Sequence, residues 1–160
     1  MHSRAVTGKL PAVMAYEFRT TRRVEFPDTD MAGIMHFTNF FRFMESTEHA
    51  FHRSLGLSVD MEKAHLSLGL GWPRVKAECE YLKPLRFEDE VEIHLLVAEL
   101  RSKTIQYRFL FRHAGHEVAR GRLTVVCVTK QGGVMKAVNI PAEIHAKIQA
   151  APPELLPKEK

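Results

Sequence analysis

The chain has 160 residues, of which 45% are hydrophobic and 26% are charged, and its formal net charge is +4. A chain of this length can bury an ordinary hydrophobic core without disulfides or a structural metal. Its composition is typical of one globular domain. The apolar runs are too short for a membrane span, the N-terminal residues lack the apolar segment of a signal peptide, and no basic stripe with stacking aromatics is present. We therefore expect a cytoplasmic protein with no membrane or nucleic-acid partner. Cys79 and Cys127 lie in alternating apolar segments and are expected to be buried free thiols.

The first half of the chain predicts an arm, a strand and one long helix. Residues 1–14 read as an arm, and residues 15–26 are rich in the β-branched and aromatic residues of a strand. From 38 to 55 the apolar period changes to three and four residues, which predicts a helix with Thr38 or Asn39 as its N-cap. Its apolar stripe consists of Phe40, Phe43, Met44, Thr47, Ala50, Phe51 and Leu55.

After the glycine-rich GLGWP segment the apolar period becomes two. Alternating segments near 75–81, 91–97, 105–111 and 123–128 predict strands, and their short links favour an antiparallel meander. The QGG run at 131–133 should end the last strand, and a short helix should begin at Pro141. The domain would span 15–150, with 151–160 as a tail. One apolar sheet face and one apolar helix predict an α+β layer in which the sheet wraps around the helix.

The loop between the first strand and the helix, PDTDMAG, admits three interpretations: a metal site, a turn or a reactive site. Asp28, Asp30 and Gly33 resemble the start of a calcium loop, but the third and twelfth ligand positions are Ala32 and Asn39. No zinc motif accompanies the histidines at 49 and 52. We therefore predict no metal.

A role in the turn accounts for Asp28 but not for Asp30, which is therefore the candidate catalytic acid. Asp28 can cap the bend after Pro27 as an Asx-turn. If Gly33 allows a tight turn, Asp30 comes to face the backbone N–H groups near His36 and Phe37 at the start of the helix. These unsatisfied donors and the helix dipole attract negative charge. A carboxylate opposite such donors is half of an acyl-transfer site.

The run VEFPDTDMAGIMHFTNFFRFME resembles the signature of the hotdog-fold acyl-CoA thioesterases of the 4-hydroxybenzoyl-CoA thioesterase type. The resemblance continues through GWPRVKAECEYLKPLRFEDEVEI and IPAEI, and covers about residues 18–145. It implies a hotdog fold and hydrolysis of an acyl-CoA thioester, with no cofactor. It also implies a homodimer or homotetramer in which sheet edges join and the active site lies at the dimer interface.

The resemblance assigns roles to matching positions. Asp30 is the catalytic carboxylate, as nucleophile or general base. The N–H of Phe37 polarises the carbonyl, and Gly33 allows the approach. Arg101 and Lys103 resemble the basic turn that meets the CoA phosphates, with Arg74 or Lys76 assisting.

Three further positions concern the substrate pocket and its loop. His36 replaces a usual aromatic residue and is expected to be a pocket wall or hydrogen-bonding neighbour rather than a proton shuttle. Phe40 replaces a common tyrosine, and Asn39 should hold the loop by hydrogen bonds. The pocket is expected to be apolar or aromatic, lined by Met35, Phe37, Phe40 and Trp72.

Two alternatives to this assignment remain open. Glu45 and Glu48 are rival carboxylates, because a related thioesterase branch carries its acid on the helix. The same fold could also serve as a non-catalytic acyl-CoA or acyl-carrier-protein binding module. A hotdog dehydratase is disfavoured because its H-F-P-G run is absent.

Overall fold

The computed structural model describes residues 14–158. The predicted arm falls almost wholly outside this range. The elements within it are one strand, a long and a short helix, seven further strands and a short C-terminal helix. They are β1 Glu17–Arg23, α1 Phe37–Ser54, α2 Ala64–Ser67, β2 Leu70–Gly71, β3 Arg74–Tyr81, β4 Glu90–Leu100, β5 Thr104–His113, β6 His116–Val126, β7 Val128–Gln131, β8 Val134–Ala137 and α3 Ala142–His145, with 3-10 turns at Phe26–Asp28 and Pro153–Leu155.

The main sheet is antiparallel and has the order β1-β4-β5-β6-β3. Strands β4, β5 and β6 form the predicted meander, but the prediction is wrong for β3, which pairs with β6 at the far edge. The link of eight residues between β3 and β4 is long enough to cross two intervening strands, which are spaced about 4.8 Å apart. The link therefore runs across one end of the sheet, where it meets the PDTDMAG loop.

Helix α1 lies in the concave face of this sheet, as the apolar stripe predicts. Phe40 packs against Phe111 of β5, with ring centroids 5.3 Å apart, and Phe51 packs against Tyr107 at 6.3 Å. The helix packs tightly on Gly121 of β6, where a Cβ atom would lie 2.1 Å from Met44 Sδ. The helix is therefore seated against a position that has no side chain.

Three polar residues of α1 outside the predicted stripe are also buried, namely Asn39, Glu48 and His52. Glu48 and His52 are 0% and 1% exposed, whereas Ala50 and Leu55 of the predicted stripe are only half-buried. The buried stripe is thus rotated slightly relative to the prediction. Glu48 Oε2 contacts Arg74 and His52 Nε2 bonds to Tyr107 on the sheet, whereas Glu48 Oε1 and His52 Nδ1 have no hydrogen-bond partner among the described residues.

Strand β3 is an edge strand whose apolar side chains are not covered by this chain. Val75 is 63% exposed and Tyr81 is 44% exposed, although their alternation resembles that of a half-buried strand. Cys79 is half-buried and Cys127 is buried; both are free, and burial raises the pKa of each thiol to about 11. Among residues 14–158, no helix is long and apolar enough to cross a membrane.

A second, smaller sheet of order β2-β7-β8 extends the fold. Cys127 interrupts the predicted last strand, separating β6 from β7. The QGG segment was predicted to end that strand. It instead forms a hairpin turn, because Gly132 and Gly133 adopt φ values of +56° and +82° and the chain returns as β8.

The C-terminal residues pack on the rest of the domain. Helix α3 begins after Pro141, as predicted. Ala151 donates its N–H to the carbonyl of Val97 at 2.7 Å, and Leu156 packs with Tyr16 against Leu96 and Leu110. The first residues of the predicted tail thus cover part of the sheet.

Candidate active site

The PDTDMAG segment folds as a tight turn with its own hydrogen bonds. The Asp30 N–H donates to the carbonyl of Ile34 at 3.0 Å, and the Gly33 N–H donates to the carbonyl of Asp30 at 2.9 Å. Gly33 has a φ of +73°, a conformation that favours glycine. Thr29 and Met35 face each other across this turn as an antiparallel bridge. The chain therefore reverses at Gly33, as the sequence predicts.

The two acids have different structural partners. Asp28 Oδ2 accepts the N–H of Glu25 at 2.9 Å, so it caps a turn three residues earlier rather than forming the predicted Asx-turn. Asp30 Oδ1 accepts the N–H of Ala32 at 2.8 Å, which is the Asx-turn geometry. The Asp30 carboxylate is exposed, and one of its oxygens is thereby oriented by its own loop.

The loop is fixed to the start of α1 through the carbonyl of Asp28. That oxygen accepts the N–H of His36 and the Nδ2 of Asn39, both at 2.8 Å. Asn39 is 8% exposed and thus holds the loop from within the helix. The neighbouring N–H of Met35 donates to the carbonyl of Leu85 on the link between β3 and β4. Both sides of the loop are therefore anchored.

The helix begins one residue earlier than predicted, and its N-cap is His36 rather than Thr38 or Asn39. The imidazole Nδ1 lies 2.7 Å from Thr38 Oγ1 and accepts the Thr38 N–H at 3.4 Å. The ring also lies against Phe37, with centroids 4.6 Å apart. Asn39 is unavailable as a cap because its amide bonds to Asp28.

The N–H of Phe37 is the free donor at this end. Within residues 14–158 it forms no hydrogen bond, whereas the adjacent N–H groups of His36, Thr38 and Asn39 are all engaged. The first N–H groups of a helix lack intrahelical partners and carry the positive end of its dipole. The Phe37 side chain is 57% exposed, so the surroundings of this donor are open to a ligand.

Asp30 and Phe37 line the same cavity, whose volume is about 480 Å³. Phe40 forms part of its wall together with Tyr81, whose ring meets Phe40 edge-to-face at 5.2 Å. The complete lining is Asp30, Ile34, Met35, Phe37, Phe40, Tyr81, Leu82, Lys83, Pro84 and Leu85. The wall is mainly apolar, with a carboxylate and an ammonium group as its charged members.

Sequence reasoning missed the half of this cavity that comes from Tyr81 to Leu85. Tyr81 ends β3 and the other four residues follow it, so the segment was interpreted as a strand end and a plain link to the adjacent strand. The signal was the LKPL segment, in which proline and apolar residues follow an apolar strand end. The LKPL segment becomes part of the cavity wall only because the chain crosses from β3 to β4 and so brings this segment onto the PDTDMAG loop.

The structure does not bring Trp72 into this cavity. Trp72 is 4% exposed and packs on His52 near the C-terminal end of α1, with ring centroids 5.8 Å apart. The prediction that it lines the pocket is wrong for the single chain. Helix α1 separates the two positions, because the cavity lies at its first turn and Trp72 at its last.

The predicted phosphate-binding residues are also remote from the cavity in one chain. Arg101 and Lys103 lie in the turn after β4, and Arg101 bonds to Glu99 at 2.8 Å. The cavity lies beside the other end of β4, roughly 30 Å away at about 3.3 Å per residue. The assisting residues are engaged elsewhere, since Arg74 pairs with Glu48 and Lys76 with Glu78.

The rival carboxylates lie outside the cavity. Glu48 Oε2 is 2.5 Å from Arg74 Nη2, and exposed Glu45 is 3.6 Å from the same atom. Burial raises the pKa of Glu48 to about 7 despite the opposing effect of Arg74. His52 Nε2 bonds to Tyr107 Oη at 3.2 Å, and burial lowers the pKa of His52 to about 4. In the described part of the chain, no cluster of three or more His, Cys, Asp or Glu side chains could hold a metal.

An antiparallel sheet packed around one long helix is the arrangement of the hotdog fold. Residues 24–148 match the model of the Thioesterase-like superfamily, so the chain belongs to that family. The predicted family and fold are confirmed, and the chain is a hydrolase of the thioesterase class.

Individual relatives support the same assignment. The chain is 31% identical over 140 residues to the 1,4-dihydroxy-2-naphthoyl-CoA hydrolase of Thermosynechococcus vestitus, covering 86% of this chain and 92% of that enzyme. It is similar in structure to the BH1999 gentisyl-coenzyme A thioesterase, with a TM-score of 0.70 and 28% identity, covering 80% of this chain and 99% of the other. The 4-hydroxybenzoyl-CoA thioesterase of Pseudomonas sp. strain CBS-3 shares the fold, with a TM-score of 0.74 and 23% identity over 82% and 99% of the chains.

Proposed function

We propose that this chain hydrolyses an acyl-CoA thioester to a carboxylate and the free CoA thiol in the cavity between the PDTDMAG loop and the β3–β4 link. The observation that carries the proposal is that Asp30 and the start of α1 at Phe37 line one cavity. The named substrates of the relatives, which are aryl-CoA thioesters, agree with an apolar pocket. No cofactor is needed for this reaction.

The Phe37 N–H is the proposed donor to the thioester carbonyl oxygen. As water or a carboxylate adds to the carbonyl carbon, negative charge collects on that oxygen, and a fixed donor at the positive end of a helix stabilises it. One such donor is worth about 2.7–4 kcal/mol in the transition state. The adjacent N–H groups already donate hydrogen bonds within the chain, so the N–H of Phe37 is the group left to stabilise the oxyanion.

Asp30 is the proposed carboxylate of the reaction. As a general base it would take a proton from the attacking water, which contributes roughly 10²–10⁴-fold. As a nucleophile it would form a mixed anhydride that water then cleaves, returning the carboxylate and releasing the acid. Either route ends with the C–S bond broken and the thiol carrying a proton. The bond from Ala32 to Asp30 Oδ1 orients the group and leaves Oδ2 for the reaction.

The active site is proposed to be completed by a second copy of the chain. Strand β3 has an unpaired edge and uncovered apolar side chains, which is the feature by which two sheets can join. The cavity adjoins the end of this edge at Tyr81. Because Arg101 and Lys103 lie roughly 30 Å from the cavity of their own chain, they are proposed to meet the phosphates of CoA bound in the cavity of a neighbour.

The direct test is a turnover assay in which released CoA thiol is measured with a thiol reagent across a panel of aryl-CoA and alkyl-CoA thioesters. Asp30→Asn should lower kcat at least a hundredfold while the fold stays intact. Asp60→Asn is a matched control, because Asp60 Oδ1 also accepts the N–H two residues later, at 3.0 Å, in a different loop. The control should retain wild-type kcat.

The outcomes separate the candidate functions. Turnover that is lost in Asp30→Asn and kept in Asp60→Asn supports the hydrolase. Tight binding of acyl-CoA by the wild type with no thiol release would instead favour a non-catalytic binding module. Normal turnover by purified Asp30→Asn would remove Asp30 from the mechanism.

A further inference from the structure

Tyr81, the last residue of β3, is bonded to the start of the helix that supplies the proposed oxyanion donor. Its hydroxyl donates to the carbonyl oxygen of Phe37 at 3.1 Å. Its ring meets Phe37 edge-to-face at 6.4 Å and Phe40 at 5.2 Å. The same side chain lines the cavity. Tyr81 therefore contacts both aromatic residues of the first helical turn and fixes the backbone of one of them.

The first turn of α1 has few other restraints on its exposed side. Phe37 is 57% exposed, and the capping contact from His36 Nδ1 to the Thr38 N–H is long, at 3.4 Å. Helix ends fray unless side chains or tertiary contacts hold them. Asn39 anchors the buried side of the turn to the loop, so Tyr81 supplies the contact on the cavity side.

We propose that Tyr81 is a positioning residue that holds Phe37 so that its N–H meets the substrate carbonyl. This inference rests on the proposed thioesterase function, and it adds Tyr81 to the residues that the proposed mechanism uses. It assigns no proton transfer to the tyrosine. Desolvation raises the pKa of Tyr81 to about 12, so the hydroxyl remains a donor at neutral pH and does not act as a base.

The anchor at Tyr81 also connects the site to the sheet edge. The next residues are fixed by the N–H groups of Leu82 and Lys83, which both donate to the carbonyl of Val118 on β6. The tyrosine is thus attached to a hydrogen-bonded strand end and bonds to the exposed start of the helix. A positioning contact needs this combination, because it transfers the rigidity of one element to the other.

The test is Tyr81→Phe, which removes the hydroxyl and keeps the ring. We expect kcat to fall roughly three- to tenfold, the range for loss of one neutral hydrogen bond, while KM changes less than twofold. Hydrogen–deuterium exchange of residues 36–44 should become faster. Tyr16→Phe is the control: Tyr16 is partly buried and packs against Leu96 and Leu110, away from the cavity. It should leave kcat and exchange at 36–44 unchanged.

Each outcome decides between the inference and its competitors. If Tyr81→Phe raises KM with kcat unchanged, Tyr81 is only a pocket wall and the inference is overturned. If kcat and exchange at 36–44 match the wild type while Asp30→Asn is inactive, the inference fails and the proposed function stands. If the wild type releases no thiol from any thioester, both fail. A general loss of Tm with faster exchange throughout would show a merely structural role.

Discussion

Glu48 on the central helix and Arg74 at the start of the edge strand form a buried contact, with Oε2 and Nη2 2.5 Å apart. Glu48 is completely buried, and its second oxygen, Oε1, has no hydrogen-bond partner among the described residues. The contact joins α1 to the edge strand at the end remote from the cavity. Its energetic effect depends on pH, because burial opposes the charge that Arg74 favours.

The carboxyl of Glu48 should make the protein less stable as pH rises. Its pKa is about 7 in the folded state and 4.5 in the reference state, so the folded protein binds more protons between these values. The free energy of unfolding therefore falls as pH rises from 4.5 to 7. Relative to Glu48→Gln, which does not titrate, the wild type should lose about 1–3 kcal/mol across this range. Denaturant unfolding at pH 5 and pH 8 measures the difference.

Comparison with Glu48→Gln is needed because His52 titrates with the opposite effect. Its pKa is lowered to about 4, so its contribution is lost as pH falls below 6.5. This contribution is present in both proteins and cancels in the difference. Glu45→Gln removes a nearby carboxylate that raises the pKa of Glu48, so this variant should keep the direction of the wild-type dependence and reduce its size. A constant difference between wild type and Glu48→Gln from pH 5 to 8 would contradict the assignment.

Adding a methyl group at Gly121 should push the helix away from the sheet. The new Cβ atom would lie 2.1 Å from Met44 Sδ, and Met44 is fully buried. Such overpacking costs about 1–3 kcal/mol, so Gly121→Ala should lower the free energy of unfolding by that amount in urea titrations. Shortening the opposing side chain, in Gly121→Ala/Met44→Val, should recover part of the loss. No recovery would mean that strand geometry, rather than the methionine contact, limits position 121.

The turn at Gly33 should matter for activity beyond its effect on stability. Gly33 and Gly115 have φ values of +73° and +76°, and an added Cβ meets nothing within 4 Å at either position. Gly33→Ala and Gly115→Ala should therefore lose similar stability, about 1–2 kcal/mol. Only Gly33→Ala should reduce kcat, at least fivefold, because it moves Asp30. Thermal melts and thiol-release assays test both, and an equal kcat in the two variants would exclude a role for the turn.

A double substitution at the basic turn tests the shared site. Arg101→Gln/Lys103→Gln should raise KM for acyl-CoA about tenfold with little change in kcat, because these cations would contribute to binding only. Arg19→Gln removes a comparable exposed arginine, which pairs with Glu92 at 3.1 Å on the other sheet edge, and should leave KM unchanged.

Mixing chains then shows whether the two halves of a site come from different copies. A hybrid of an Asp30→Asn chain and an Arg101→Gln/Lys103→Gln chain would contain one site with both Asp30 and the basic turn intact. That site should turn over with wild-type KM. A mixture that keeps the raised KM of the double variant would place both halves in one chain.

The sequence by itself determined the classes of the main strands and of the long helix, the reversal at Gly33, and the position of the helix start to within one residue. These follow from local causes: a change of apolar period from 3.6 to 2, glycine at a positive φ, and free N–H groups at the start of any helix. The family resemblance and the layered α+β fold also rested on such local patterns. Boundaries were close, with α1 predicted at 38–55 and found at Phe37–Ser54.

Only the tertiary structure decided which distant segments meet. The crossing from β3 to β4 placed Tyr81 and Leu85 beside Asp30 and left Trp72 at the other end of the helix. It also made β3 an edge, so its apolar side chains are exposed although their period resembles that of a covered strand. Burial of Glu48 was equally invisible in the sequence, because its partner Arg74 is 26 residues away. Periodicity reports which side of an element is apolar, whereas strand order and long-range pairing decide what that side contacts.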